Sequence, residues 1–381
     1  MDHKEELLKI FKRSLSYILV AALASAGTWI AADKLPNSKL EHLAKAIDRR
    51  CIGDADQTQI QDAAAEAMIA ALGDRWSYYI SAEEYADHLE RQNNSYVGIG
   101  VTVQQRQDGR GIDVVAVEQE GPAAEAGVQA GDIITHADGK ALGGMTLSEG
   151  RNFIMGEKNT EVVLTLLRGE DIQDVTVTRK VIHSKVAVGQ MLSGNVGYIA
   201  IRNFHDGAGK ETIDEIEKLT EQGAEKLIFD VRNNPGGYVH EMVKLLDYLL
   251  PEGPLFRSRN YNGVEDVDES DADCLELPMA VLINGNSYSA AELFAAALSE
   301  YDWAVTVGEP TCGKGYYQTT IQLGDGSAVQ LSTGQYTTPN GVNLTEAGGL
   351  IPDFPVAPAD SVVAAAEEDP QIRAAIQALA P

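Results

Sequence analysis

Cysteine is scarce in this chain: three residues in 381, Cys51, Cys274 and Cys312. There is no CxxC pair and no cluster of His, Cys and Asp at ligand spacing, which excludes a structural zinc site and a disulfide framework. One bridge stays open outside the cytoplasm, and the sequence does not choose its pair. Cys312 has no local His to make it a nucleophile. Positive charge is also short, 30 Lys+Arg against 57 Asp+Glu for a net charge of −27. With no basic stripe to neutralise phosphates, a nucleic-acid partner is excluded. The acidity is dispersed and reads as a solvated surface. A phosphate-cradling GxxxxGK[ST] loop is missing, and so is a G-x-S-x-G elbow. Of the seven histidines, His205 and His240 fall in the C-terminal half, neither in a triad-like motif.

What is present is a globular composition, 44% hydrophobic and 23% charged, in a chain long enough for two or three domains. Near the N-terminus Lys9, Lys12 and Arg13 precede an uncharged run from Ser14 to Ala32, with Tyr17 and Trp29 near its ends. The run is close to the minimum that crosses a bilayer. Positive charge before it predicts a single transmembrane helix with the remaining chain outside the cytoplasm. Ala24-Ser25-Ala26 keeps a second reading open, a cleaved signal peptide and a secreted protein.

Beyond the run, residues 35–92 read as helices, with Leu40, Leu43, Ala44 and Ile47, then Ile60, Ala63, Ala64 and Met68, at helical spacing. The stretch 71–79 (ALGDRWSYY) breaks that pattern. Val97, Ile99, Val101 and Val103 alternate as one strand, and short strands, a Gly121-Pro122 helix start and an Asp138-Gly139 hairpin follow to about 182. From about 185, apolar strands alternate with helices, which predicts a mostly parallel sheet flanked by helices. Residues 262–275 are acidic and read as a surface loop.

In that half, Ser289 stands between the strand-like VLIN and the helix-like AAELFAAAL. A helix N-terminus favours negative charge on a reacting oxygen. Ser289-Ala290-Ala291-Glu292 also fits a capping box, in which the serine only caps the helix. Lys314 lies between Gly313 and Gly315, a loop able to tuck the side chain inward. Burial would bring its pKa down from about 10.4, as a general base requires. Asn233-Asn234-Pro235-Gly236-Gly237 follows an apolar strand, and its free N–H groups suit either an oxyanion or a plain turn.

In order, the segments LIFDVRNNPGGY (227–238), VLINGNSYSAAELFAAAL (281–298), VGEPTCGKGYYQT (307–319), DGSAVQLSTGQYTTPNG (325–341) and GGLIPDFPV (348–356) resemble the C-terminal processing peptidases, or tail-specific proteases. The resemblance implies a serine endopeptidase with Ser289 as nucleophile, Lys314 as base and Gln318 orienting the lysine. It places oxyanion donors on the backbone of Gly237, with Gly236 as an alternative, and of Ala290. No metal and no cofactor are implied. Tyr288 and Cys312 depart from the family's usual small and aromatic residues. YVGIGV (Tyr96, Val97, Gly98, Ile99, Gly100, Val101) resembles the carboxylate-binding loop of a PDZ domain, so the implied partners are proteins or peptides with free C-termini. The expected fold is α/β: a cytoplasmic tail and membrane anchor (1–33), a helical region (34–92), an α+β PDZ domain (93–184) and a strand–helix peptidase core with a C-terminal helix (185–381). The N-terminal helices and the tail (Ile372, Ile376, Leu379) offer surfaces for a homodimer. A silent adaptor that binds C-termini without cutting is the rival from another class. Acyl-CoA chemistry on the same fold leaves the Ser/Lys pair unexplained.

Overall fold

The computed structural model describes residues 39–53, 56–106, 108–359 and 365–380. The expected anchor at 14–32 lies outside them. Among the described residues no helix is long and apolar enough to cross a membrane. The chain divides into two compact units between Gly73 and Asp74, so residues 74–92, expected with the N-terminal helices, belong to the second unit.

The first unit contains the helices Lys39–Arg50 and Gln57–Ala70, the second capped by the Asp56 carboxylate, which accepts from the Thr58 and Gln59 N–H groups. Neither helix has a buried residue, and Leu40, Leu43 and Met68 are exposed.

The second unit is built on a six-stranded sheet. Ala187–Leu192 runs antiparallel to Val196–Ile201. Parallel to that strand follow Lys226–Asp230, Met279–Ile283, Ala304–Gly308 and Phe354–Pro355. All five residues of Met279–Ile283 are buried, as expected of a central parallel strand covered on both faces. The helix Ala290–Glu300 is buried from Ala290 to Leu298 and apolar over that stretch except for Glu292, which suits a helix at the centre of the core. Its Phe294 packs edge-on to Phe229 at 5.5 Å and tilted against Phe204 at 5.6 Å.

A second sheet carries Tyr78–Ile80, Ala328–Thr337, Gly253–Asn260 and Glu265–Ser270 in that order, with Tyr316–Gln322 paired to Ala328–Thr337. Here the sequence expectation needs correcting. Glu265–Ser270, inside the stretch read as a loop, is an edge strand. Its acidic side chains hide a period that a hydrophobic pattern would reveal, and charge suits an exposed edge.

Residues 95–183 form a separate α+β module. Its sheet orders Val101–Gln105, Ile112–Val117, Ile133–Ala137, Glu161–Arg168 and Asp171–Thr178 around a core that includes Ile112, Ile134, Leu164 and Leu166. The single strand expected over 97–103 is in fact two. Ser95–Gly98 pairs with Lys180–His183, the chain breaks at Ile99-Gly100, and Val101–Gln105 joins the larger sheet. Gly100 makes the break with φ 76°, a backbone state that glycine reaches at little cost.

Candidate active site and tail groove

Three loops at the C-terminal ends of parallel strands converge on one cavity of about 730 Å³. The loop after Met279–Ile283 delivers Ser289, whose backbone sits at φ 61°, ψ −126°. That is a strained conformation for a non-glycine residue, worth about 1–3 kcal/mol, and not the extended one of an ordinary helix cap. The surroundings hold it there. Ser289 N–H donates to the Glu292 carboxylate at 3.0 Å, and Tyr288 N–H to the Asn234 carbonyl at 3.2 Å. The Ser287 hydroxyl donates to the Val231 carbonyl at 2.7 Å, tying this loop to the one after Lys226–Asp230.

That neighbouring loop carries Gly236 and Gly237. Asn233 clasps the serine loop, its side-chain oxygen accepting from Asn284 and Asn286 at 3.1 and 3.0 Å. Gly236, at φ 86°, approaches so closely that a Cβ there would stand 2.8 Å from the Ser289 Cβ. Its N–H is already committed to the Asn234 side-chain oxygen at 2.8 Å. The N–H groups of Gly237 and Ala290, both lining the cavity, find no acceptor among the described residues. This separates Gly237 from Gly236 as an anion donor.

Lys314 arrives on the loop after Ala304–Gly308 and is 8% exposed. Its Nζ lies over the rings of Trp76, at 4.7 Å, and Tyr288, at 5.8 Å. Burial, the largest influence, pushes its pKa down to about 8, opposed by Glu292, Cys312 and Asp74. Glu292, fully buried, connects base and serine. Besides Ser289 N–H, its carboxylate accepts from the Thr311 hydroxyl (2.5 Å), Gly313 N–H (2.7 Å) and Lys314 N–H (2.9 Å). Burial raises its pKa, and these hydrogen bonds oppose the rise.

Gln318 lines the same cavity, but its amide does not reach Lys314. It donates to the Tyr316 carbonyl and the Ser332 hydroxyl, each at 3.1 Å. The side chain beside both reacting groups is Tyr336. Its hydroxyl donates to the Lys314 carbonyl at 2.5 Å, and the residue lines the cavity with Ser289. Sequence reasoning missed Tyr336, which lies in a strand with no local signal. It also missed Asp74, Trp76 and Ser77, although the aromatic run GDRWSYY offered a hint. There Ser77 donates to Asp74 at 2.5 Å and accepts from Ser332 N–H at 3.0 Å, which fixes Trp76 over the lysine. His205 lines the cavity too, while His240 is exposed.

A second cavity, about 660 Å³, runs along the Ile99-Gly100 break. Tyr96, Gly98, Ile99, Gly100 and Val101 line it, with Leu147, Arg151 and Ile154 opposite. Val97 does not. It pairs with Val181, and alternation along the strand turns it to the other face. The carbonyls of Ile99 and Gly100 accept from Ala123 and Glu118, whereas their N–H groups have no acceptor among the described residues. Arg91 and His205 line both cavities.

This geometry agrees with what the chain is similar to. Residues 195–356 match the profile of peptidase family S41, and residues 96–178 that of the PDZ domain. A probable CtpA-like serine protease of Staphylococcus aureus is 31% identical over 328 residues, 85% of this chain and 65% of that protein. Its counterpart in Staphylococcus saprophyticus is 29% identical over 319 residues, 83% of this chain and 64% of that protein. A putative S41 protease from Bacteroides fragilis, at 17% identity, shares the fold with a TM-score of 0.55 over 87% of this chain and 92% of that one. The chain thus spans 65% and 64% of the length of those two curated relatives. Residues 195–356 form a peptidase family S41 domain and residues 96–178 a PDZ domain, the pairing expected of a C-terminal processing peptidase.

Proposed function

We propose that this protein is a serine endopeptidase that cuts protein substrates near their C-termini through an acyl-enzyme, with the PDZ domain reading the tail. The observation that carries the reading is Ser289, strained at a buried helix N-terminus, sharing one cavity with a desolvated Lys314 and the free N–H groups of Gly237 and Ala290. Neutral Lys314 takes the Ser289 proton as Oγ attacks the peptide carbonyl carbon, and the Gly237 and Ala290 amides hold the oxyanion. Protonated Lys314 passes that proton to the leaving amine, the C–N bond breaks, and water then hydrolyses the ester. Glu292 keeps the serine and lysine loops in register, and Tyr336 holds the lysine loop through the Lys314 carbonyl. Gln318 has the place along its strand to support Lys314, on rotation of its amide away from Ser332.

In the PDZ groove the Ile99 and Gly100 N–H groups suit a terminal carboxylate, while the tail adds along the strand edge. The reading extends to topology: an anchor at 14–32, or a cleaved signal, with the catalytic part outside the cytoplasm. The exposed apolar residues of the first unit suit a homodimer. A silent adaptor would leave a strained serine and a buried lysine without purpose. The test is incubation of the full chain with free-acid peptides of varied C-termini, beside Ser289→Ala. Cleavage by the wild type alone supports the proposal, and equal cleavage by both proteins overturns it.

A further inference from the structure

Two buried polar atoms of the second unit have no hydrogen-bond partner among the described residues, and the residues that carry them line the same cavity as Ser289. They are His88 Nε2 and Gln330 Oε1. Buried polar groups are nearly always satisfied, so two orphans on residues that line one cavity call for a partner there.

Their setting is built. Tyr78, Gln330 and Thr320 are directly opposite one another across three paired strands, so their side chains share one face of the sheet. Gln318 and Ser332, the next such pair along, continue this polar face toward the lysine loop. His88, 9% exposed, closes the row from the helix Ala82–Gln92, its ring stacked on Tyr85 at 6.2 Å and edge-on to Tyr78 at 6.5 Å.

We infer that Tyr78, His88, Thr320 and Gln330 form a specificity subsite for an uncharged hydrogen-bonding side chain of the substrate, a hydroxyl or a carboxamide. The inference rests on the peptidase reading and goes beyond it, to which residue is preferred beside the scissile bond. A hydroxyl or carboxamide both donates and accepts. It can therefore satisfy the Gln330 amide in either orientation and His88 in either tautomer. A cationic side chain meets Arg91 on the same wall, and burial, with Arg91 and His205 next, lowers the His88 pKa and so favours the neutral ring. An apolar side chain leaves both orphans unpaired.

The test is a set of free-acid peptides in which each position around the scissile bond carries in turn Ser or Ala, Thr or Val, Asn or Leu, and Asp or Lys. It is read as kcat/KM on the wild type and as Kd on Ser289→Ala. At one position the hydrogen-bonding member of each neutral pair should win by about tenfold, with Asp and Lys both disfavoured. Gln330→Met and His88→Phe should each bring that ratio toward one, whatever their absolute rates. If His88→Phe does not fold, Gln330→Met and the wild-type panel decide. A ratio near one at every position means that a buried water fills the pair, and overturns the subsite. So does a preference that survives Gln330→Met, or a preference for Asp. A Kd preference without cleavage of any peptide would uphold the subsite and defeat the peptidase reading, so the two fail separately.

Discussion

Backbone amides line both cavities of the larger unit, but the two sets are held in different ways. Around Ser289 the supporting loops are locked by side chains: buried Asn234 inside the glycine turn, exposed Asn233 between loops, and buried Glu292 beneath serine and lysine. Along Ile99-Gly100 the amides belong to a short link between two sheets, secured through its own carbonyls. The first arrangement suits charge that develops briefly and needs fixed donors. The second suits a ligand that arrives already charged and brings its own strand. The comparison says which site should tolerate change.

The largest effects should follow at the rigid site. Ser289→Ala and Lys314→Ala should each lower kcat by about 10³-fold or more, and the double variant little further, because the pair acts as one unit. Additive losses in steady-state kinetics would break the pairing. Gly236→Ala should come next, with kcat down about 10²-fold, because its Cβ would press on Ser289 at 2.8 Å in a left-handed backbone. Unchanged kcat would show that the turn has slack. Glu292→Gln puts N–H donors against N–H donors. It should cost about 2–4 kcal/mol in chemical denaturation as well as activity, since hydrogen bonds to a charged group are lost. Loss of activity at full stability would assign Glu292 a role other than tethering.

These predictions sort what was legible. Ser289, Lys314, Gly237 and Ala290 were singled out by the family-like order of their motifs, since each local pattern alone also fits a cap, a surface charge or a turn, whereas the helices and parallel strands around them announce themselves by period. Tyr336 could not be found, because it acts through its place near the end of a long sheet strand, with no local mark. Glu292 was visible only as half of a capping box, while its hydrogen bonds to Gly313 and Lys314 depend on loops that meet only after folding. The strand over 97–103 was misjudged because alternation continues unbroken through Gly98 and Gly100, and only pairing partners reveal the break.

The smallest effect belongs to the groove. Amidating a substrate's C-terminus should raise KM about tenfold with kcat nearly unchanged, the loss of one charge-assisted bond. Equal KM for amidated and free-acid peptides would remove the tail-reading role and leave the Ser289 chemistry standing.

The central claim is that a desolvated Lys314 activates Ser289, and the most direct measurement is the rate of Ser289 phosphonylation by a fluorophosphonate across pH. Lys314 acts only when neutral, and its pKa lies near 8, so the rate should rise about tenfold per unit below that pH and level off above it. The adduct should appear on Ser289 by peptide mass mapping, and Lys314→Ala should abolish both the adduct and the rise. A pH-independent rate, an adduct on another residue, or a Lys314→Ala variant that labels at the wild-type rate would contradict the account.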